Sequence, residues 1–448
     1  MAETASIPDV PVKKKPMERL ASLDALRGFD ILLLLSLGVV RAFARGPLPG
    51  ILEGKSESFV LFWTKFVSQF DHIPWQGFTL CDLAMPLFVF MAGASIPFSL
   101  ARYIDGKEKR RFRLWFRIIR RVVVLWLFGM IVQGNLLTLQ PEQFRLFSNT
   151  LQSIAVGYFF SCLAYLYLPK SAQRWLFVLL ILAFWAGMKY IKVGGTGEID
   201  GLTPWTFEWI NARGCGGGSY AEGTNLAYWI DCRVLGRTMD AASVNEAGEV
   251  VFSEWYQYTW IFSSLTFVAT ALSGMFGGEL LFSARERMKT LIPEDKKGRR
   301  LVQWQACAAL VFAGVVCLLL GQLWNKVPEG SFAYCPIIKH IWTSSMVLHA
   351  SGISLLLLAL FYAVFDIWKI PGLKTFLVVF GTNAIAAYML SHVLHFNEIV
   401  DWVIYGLRFW YEKWGIESWY DFTVQVAAVA LIWAILHHFW KLGKFLRV

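Results

Sequence analysis

The chain has 448 residues, of which 56% are hydrophobic and only 17% are charged. A soluble domain of ordinary composition carries about a quarter charged residues, and several apolar runs here approach or exceed the roughly 20 residues that a bilayer requires. These runs are continuous rather than alternating, which excludes a transmembrane β-barrel. The net charge of +10 comes from basic residues clustered between the runs, so it does not indicate nucleic-acid binding. The composition therefore predicts an all-α polytopic membrane protein.

The apolar runs, taken in chain order, predict about ten membrane-spanning helices. They form a single transmembrane domain over residues 29–448, after a polar and basic tail over residues 1–28. Residues 51–70 carry aromatic residues at helical spacing among charged ones, which predicts a helix lying on the outer membrane interface. The predicted outer loops are residues 44–78 and the long polar segment 192–257, which separates spans five and six. The ten predicted spans are residues 29–43, 79–100, 122–137, 151–168, 175–191, 259–281, 301–323, 341–365, 376–394 and 422–440.

Basic residues orient these spans, because short loops rich in Lys and Arg remain on the cytoplasmic side of a membrane. With ten spans, the basic N-terminal tail, the loops 102–121 and 285–300, and the basic C-terminus all fall on one side. Both termini are therefore predicted to be cytoplasmic. His72 and the loop 192–257 are then predicted to lie on the opposite, extracytoplasmic side.

A histidine and an aspartate mark the outer end of the second predicted span, in the sequence HIPWQGFTLCDLAMPLF. An ionisable residue inside a span is energetically costly and is by default a functional candidate. His72 and Asp82 are accordingly predicted to form a catalytic pair at the membrane boundary. The alternative is structural: Asp82 would cap or tie a helix, and His72 would only be solvated.

Three charged residues occupy the cytoplasmic mouth of the first span, in the sequence SLDALRGFD. Asp24, Arg27 and Asp30 are spaced three apart, so ion pairs along one helix face account for them. The functional alternative is that Arg27, together with Arg19, meets an anion arriving from the cytoplasm. Arginine suits this role because its guanidinium binds phosphate in a bidentate manner.

The predicted outer loop 192–257 combines glycines, aromatic residues, amides and carboxylates in GCGGGSYAEGTNLAYWIDCRVLG. Aromatic rings and polar groups together are typical of a carbohydrate pocket, although an ordinary structured loop with aromatic interface anchors has the same composition. A disulfide between Cys215 and Cys232 is compatible with this location. Elsewhere, His392 and His395 could share a metal ion, but the sequence offers no convincing third ligand. No metal site is therefore predicted.

Two blocks near the N-terminus, RLASLDALRGFDILLLL and HIPWQGFTLCDLAMPLFVFMAGASIPFS, resemble the heparan-α-glucosaminide N-acetyltransferase family and its bacterial DUF5009-type relatives. The blocks NTLQSIAVGY, YWIDCRVLG and PIIKHIWTSSMVLHASG are also similar and follow in the same order. The resemblance implies an enzyme that takes an acetyl group from cytoplasmic acetyl-CoA. It would deliver that group to the amine of a glucosamine-type sugar on the far side, from a bacterial inner membrane, with a homodimer as the assembly the family allows.

Catalytic and donor-binding roles follow from the same resemblance. His72 matches the catalytic histidine of the family and would act as general base or as acetyl carrier. Arg19 and Arg27 would hold the phosphates of CoA. Lysosomal members carry an asparagine late in the first span, where this chain has none. Asn135 or Asn149 would have to stand in for it, and Asn149 and Gln152 are therefore candidates for donor binding.

The candidates for acceptor binding are Asp71, Trp75, Glu222, Asp231 and His392. A rival function is a proton-coupled transporter of a sugar or amino sugar, in which His72 and Asp82 form the coupling pair. Such a transporter predicts an internal repeat of spans, and the sequence shows no convincing repeat of the early blocks in its second half.

Overall fold

The computed structural model is largely helical, with two short antiparallel ribbons. It describes residues 20–104, 111–134, 144–195, 197–240, 242–254, 258–292 and 294–444. The α-helices are α1 (Ala21–Arg45), α2 (Pro47–Leu52), α3 (Glu57–Ser68), α4 (Ala84–Ala94), α5 (Ile96–Ile104), α6 (Arg111–Val132), α7 (Thr150–Tyr167), α8 (Lys170–Tyr190), α9 (Phe207–Arg213), α10 (Leu226–Leu235), α11 (Ser264–Thr290), α12 (Lys296–Asn325), α13 (Ser344–Tyr362), α14 (Leu373–Thr382), α15 (Ala384–Val393), α16 (Phe396–Ile404), α17 (Leu407–Lys413) and α18 (Tyr420–Lys441). The strands are β1 (Lys192–Val193), β2 (Cys215–Gly216), β3 (Ser243–Val244) and β4 (Val250–Val251).

Among the described residues, seven helical segments are long and apolar enough to cross a membrane, and α14 with α15 makes an eighth if the two are one broken span. The axes of this pair differ by 73° at the break. The predicted membrane fold is thereby confirmed. The predicted first and third spans coincide with α1 and α6, which are long helices with three or more charged residues in every 18-residue stretch. As membrane-spanning helices these two remain predictions, and α1 begins at Ala21, ahead of the predicted boundary at residue 29.

Small residues allow the central helices to approach closely. Gly93 of α4 lies against the carbonyl of Ala271, and Gly274 of α11 lies against the carbonyl of Phe90, so that a Cβ atom at either glycine would collide with backbone. Such close approach is how helices associate in lipid, where burial of apolar area offers little gain. Packing of α4 against α11 fixes the segment that carries Asp82.

Two segments on the predicted outer side were expected to be structured, and both are. The interfacial helix is α3, whose apolar side chains Phe59, Leu61, Phe62 and Phe66 are exposed. Its place at the membrane surface remains a prediction. The long predicted outer loop folds into α9, α10 and the two ribbons, with β1 paired to β2 and β3 to β4. Cys215 and Cys232 are both buried free thiols, so the structure contains no disulfide between them.

The packing of α4 on α11 can be tested by Gly274→Val. The added side chain must displace the Phe90 backbone, and overpacking of this kind costs about 1–3 kcal/mol. We expect a lower midpoint of thermal unfolding in detergent. Gly50→Val is the matched control, because Gly50 is exposed and a Cβ atom there meets open space. Equal stability of the two variants would contradict the packing described.

Candidate functional site

The turn between α3 and α4 folds back on itself. His72 therefore lies beside Asp82, at the start of the apolar segment that continues as α4. The amide of Cys81 donates to the carbonyl of Gln69 at 3.0 Å and closes the turn. Gly77 has a φ of +130°, a backbone conformation that residues other than glycine rarely adopt. Its amide donates to the carbonyl of Ile337 at 2.9 Å. A 3₁₀ turn at Cys81–Leu83 then leads into α4.

The two predicted catalytic residues, His72 and Asp82, are in direct contact. Nδ1 of His72 lies 2.8 Å from Oδ1 of Asp82. The side chain of Asp82 is 2% exposed, whereas that of His72 is 44% exposed. The backbone amide of Thr79 donates to the other carboxylate oxygen at 3.2 Å, and the Thr79 hydroxyl lies 2.9 Å from that oxygen. Because Nδ1–H donates a hydrogen bond to Asp82, Nε2 is the ring nitrogen available for chemistry.

A third charged group, Lys339, completes the cluster and was not predicted. Its Nζ lies 3.0 Å from Oδ1 of Asp82 and 3.3 Å from Nδ1 of His72, and its side chain is 6% exposed. The thiol of Cys81 also lies 3.2 Å from Nδ1 of His72. The only sequence signal for Lys339 is a lysine in the block PIIKHIWTSSMVLHASG, next to a span on the predicted outer side, where basic residues are uncommon.

Electrostatics differ sharply between the two histidines of this region. The hydrogen bond to Asp82, followed by that to Cys81, raises the pKa of His72 to about 9, although burial and Lys339 act in the opposite direction. Burial, with the charge of Lys339, lowers the pKa of His340 to about 4. At neutral pH His72 is therefore protonated at rest and His340 is neutral. His72 must lose its proton before Nε2 can accept one.

Aromatic rings line the side of the cluster that faces the outer loop. The ring of Trp75 stacks on His340 at 5.4 Å between centroids, and Tyr258 contacts the same imidazole at 4.9 Å. The indole N–H of Trp75 donates to the carbonyl of Tyr220 at 2.9 Å. The structure thus places the predicted Trp75 beside the His72 cluster and connects it to the predicted outer loop 192–257. Tyr258 and His340 join it there without having been predicted.

The other predicted acceptor residues are dispersed. Asp71 adjoins His72 in the chain and is exposed, with Nε of Arg41 at 3.2 Å. Glu222 is half-buried in the predicted outer loop. Asp231 is fully buried and accepts from the amides of Trp260 at 2.7 Å and Ile261 at 3.0 Å, which ties α10 to the approach of α11. These contacts give Asp231 a structural role.

A cavity of about 430 Å³ opens among α1, α4, α5, α6, α7, α11, α14 and α15. Three arginines line it: the predicted Arg27, and Arg121 and Arg285, which were not singled out from the sequence. Its wall along α4 and α5 extends from Phe88 to Ser99, which corresponds to about 16 Å of helix. The cavity is therefore elongated, apolar along its length and positively charged.

The arginines differ in depth along the cavity. Arg121 lies within α6, ten residues from the helix start, and its guanidinium stacks 4.2 Å from the ring centroid of Tyr158. Arg27 is 3.4 Å from Asp24, which is the ion pair that its spacing suggested. Arg285 is near the C-terminal end of α11. Arg19 lies outside the described residues, as does Asn135.

Asn149 and Gln152 lie beside this cavity but serve the start of α7. The Asn149 side chain accepts from the amide of Leu151 at 2.9 Å, and that of Gln152 accepts from the amide of Ser148 at 2.7 Å. Their neighbours Thr150 and Leu151 line the cavity. His392 stacks on Tyr388, another cavity residue, with 4.2 Å between ring centroids. It therefore contacts a residue that lines the cavity.

His72, Cys81 and Asp82 offer three atoms of metal-binding type within 4.8 Å of one another. The ammonium of Lys339 already lies within 3.3 Å of both His72 and Asp82. A second cation at this point would face strong repulsion at such distances. The arrangement is that of an ion-paired cluster.

Residues 19–171 match a domain described as a domain of unknown function, DUF5009. Human heparan-alpha-glucosaminide N-acetyltransferase is 25% identical over 363 residues, which is 71% of this chain and 49% of the human protein. The mouse protein of the same name is 23% identical over 365 residues, which is 71% of this chain and 50% of the mouse protein. The chain thus spans about half the length of the curated relatives it matches.

The first block quoted above begins within the DUF5009 match, and both His72 and Asp82 lie inside it. Lys339 lies beyond it, so the matched domain supplies part of the cluster. The domain match and the two relatives agree with the resemblance to heparan-α-glucosaminide N-acetyltransferases that the sequence blocks carry.

Proposed function

We propose that this chain is a membrane acetyltransferase that moves the acetyl group of cytoplasmic acetyl-CoA to the amine of an amino sugar on the other side of the membrane. One observation carries the proposal: a single helical segment joins a histidine–aspartate pair at one end to an elongated basic cavity along its length. The names of the human and mouse relatives support an N-acetyltransferase. The sidedness rests on the distribution of basic loops.

The cavity suits the donor in charge and in length. Arg27, Arg121 and Arg285 would bind the phosphates of CoA, since guanidinium groups pair with phosphate in charge-assisted hydrogen bonds. The apolar wall would accommodate the pantetheine arm, which reaches about 15–20 Å when extended. The arm would thus point along α4 towards the end that carries Asp82.

The cavity stops short of the histidine. Phe88, its lining residue nearest to Asp82 along the helix, is six residues away, or about 9 Å of helix. A small buried apolar cluster of Leu33, Phe70 and Ala84 packs at that end of the segment. The thioester would reach His72 when this cluster shifts, so donor and acceptor sites would be connected only during transfer.

His72 has two chemically consistent roles. In a ternary complex, the sugar ammonium would first lose one proton to solvent. Nε2 would then take a second proton from the amine as the carbon–nitrogen bond forms and the carbon–sulfur bond breaks, and this proton would pass to the CoA thiolate. Alternatively, Nε2 would attack the thioester and displace the CoA thiolate, and the free amine would then take the acetyl group from Nε2 and lose its proton to solvent. Both roles require neutral Nε2, and Asp82 would stabilise the positive charge that develops on the ring.

The acceptor would bind on the aromatic side of the cluster. The rings of Trp75 and Tyr258 offer faces for the C–H surface of a sugar, and Asp71 offers a carboxylate beside His72 for the ammonium group. Trp75 contacts Tyr220 of the predicted outer loop, and Glu222 of the same loop would add a second carboxylate to this side. The assignment selects an amino sugar over a neutral one.

The reaction is tested with purified protein, labelled acetyl-CoA and a panel of amino sugars. We expect wild type to form an acetylated amine and free CoA, and His72→Ala to lose at least about 100-fold in rate, as removal of a general base does. His438→Ala is the control, because His438 is exposed on α18. If no amine is acetylated while the protein in liposomes accumulates a sugar under a proton gradient, the transporter reading replaces this one.

The rate should depend on pH in a defined direction. Since the pKa of His72 is raised to about 9, kcat/KM calculated on the unprotonated amine should rise with pH well beyond the ordinary histidine value of about 6.5. Asp82→Asn removes the largest cause of the raised pKa, so the acidic limb should move to lower pH while the maximal rate falls. A limb that stays in place in Asp82→Asn would show that another group titrates.

Donor binding is tested by Arg285→Gln. Loss of one charge-assisted hydrogen bond is worth about 1.5–3 kcal/mol, so the KM for acetyl-CoA should rise about tenfold or more, with kcat less affected. Arg300→Gln is the matched control: Arg300 is exposed, lies in the same predicted cytoplasmic region and does not line the cavity. Calorimetric titration with CoA checks the binding directly. Equal affinities in the two variants would place the donor elsewhere.

A further inference from the structure

Lys339 has the surroundings of a fixed charge rather than those of a flexible surface lysine. Its side chain is 6% exposed, and its Nζ is 3.0 Å from Asp82 and 3.3 Å from His72. The ammonium also lies 5.7 Å from the centroid of the Tyr258 ring. A long side chain loses considerable rotational freedom when it is buried in this way, and a buried ammonium persists only where it is paired.

The backbone holds Lys339 in register with the histidine turn. Gln76 and Ile338 form an antiparallel bridge, and the amide of Gly77 donates to the carbonyl of Ile337 at 2.9 Å. After Lys339 in the chain, the hydroxyl of Thr343 accepts a hydrogen bond from the amide of Ile338 at 3.1 Å and closes the loop around the lysine. The loop that carries the ammonium is therefore attached directly to the turn that carries the imidazole.

The charges in this cluster compete. Asp82 alone, at 2.8 Å from Nδ1, would hold a proton on His72. Lys339 shares the same carboxylate oxygen, and its positive charge opposes that of an imidazolium. With Asp82 ionised and Lys339 charged, the buried pair is already neutral. A protonated His72 then adds an uncompensated positive charge.

No other charged group of the surrounding elements duplicates this effect among the described contacts of His72. Cys81 adds a thiol at 3.2 Å, and His340, on the same loop as Lys339, is held neutral at ordinary pH by its lowered pKa. Asp71, beside His72 in the chain, is paired with Arg41. Lys339 is thus the cation placed to oppose protonation of His72.

We infer that Lys339 is a positioning residue that offsets the charge of Asp82 and so allows His72 to give up its proton during each catalytic cycle. Without this ammonium, the carboxylate would hold the imidazolium more tightly, and a smaller fraction of Nε2 would be neutral for base or nucleophilic chemistry. Lys339 acts through His72 and Asp82 and needs no contact with substrate. The inference deepens the proposed function, on which its kinetic test rests.

The first test measures the protonation of His72 without any enzymatic assay. Diethyl pyrocarbonate reacts only with neutral imidazole, and the modified His72 peptide can be quantified by mass spectrometry. Removing a cation at this distance should raise the pKa of His72 by about 1–3 units. At a pH below that pKa, each unit of increase lowers the neutral fraction of His72 about tenfold. At pH 7.5 we expect modification of His72 in Lys339→Met to be about tenfold slower or more, with Lys339→Arg close to wild type and Asp82→Asn faster.

A merely structural lysine predicts the opposite sign. Loosening the turn would expose His72 further and speed its modification, so an unchanged or faster reaction in Lys339→Met overturns the inference. Lys339→Gln serves as a second neutral variant, and size-exclusion chromatography of each variant in detergent checks that the neutral forms are folded. If Lys339→Met and Lys339→Gln both slow the modification of His72 while Lys339→Arg does not, the effect comes from the charge of the side chain and not from its shape.

The second test is kinetic. In Lys339→Met, kcat/KM on the unprotonated amine should fall about tenfold or more at pH 7.5, and the deficit should shrink as the pH is raised; Lys339→Arg should retain the wild-type profile. A loss that is uniform over pH contradicts the inference. If wild type acetylates no amine, the proposed function fails, and the carbethoxylation rates still decide the role of Lys339.

Discussion

A buried carboxylate at the end of an apolar helix is the constraint on which this structure depends. Asp82 is 2% exposed, and an unpaired charge in such a place would cost several kcal/mol. His72, Thr79 and Lys339 satisfy it, and they come from a turn, a helix entry and a loop more than 250 residues away. The arrangement of these segments follows from the need to hold that one charge.

Local patterns were sufficient for the parts of the molecule that depend on local physics. Runs of apolar residues predicted the helices, and an acid within such a run, preceded by a histidine, marked His72 and Asp82 as candidates for one site. Lys339 was not predicted because its partners lie far away in the chain. Only the packing of α13 and its preceding loop brings them together. Asn149 and Gln152 were judged by polarity, whereas their side chains cap α7. Capping and ligand binding use the same residue types, so the sequence could not separate them.

The helix packing explains how a site at one end of α4 and a cavity along it form one unit. Glycines at the contact of α4 with α11 bring backbone against backbone, so the segment from Asp82 to Ser99 has little freedom to tilt. The break between α14 and α15 adds the opposite property, because a 73° bend places Tyr388 at the cavity instead of continuing a straight span. A rigid wall and an irregular wall thus enclose the same space.

The bridge between Gln76 and Ile338 also has a consequence for biosynthesis. The ribosome delivers Asp82 to the membrane 257 residues before Lys339, and at about 5–20 residues per second this interval lasts roughly 10–50 s. During that time His72 and Thr79 are present and the balancing ammonium is not. The cluster therefore becomes complete late in translation, after most of the predicted spans have been synthesised. Until then, His72 is the group of the cluster that supplies a balancing positive charge to Asp82.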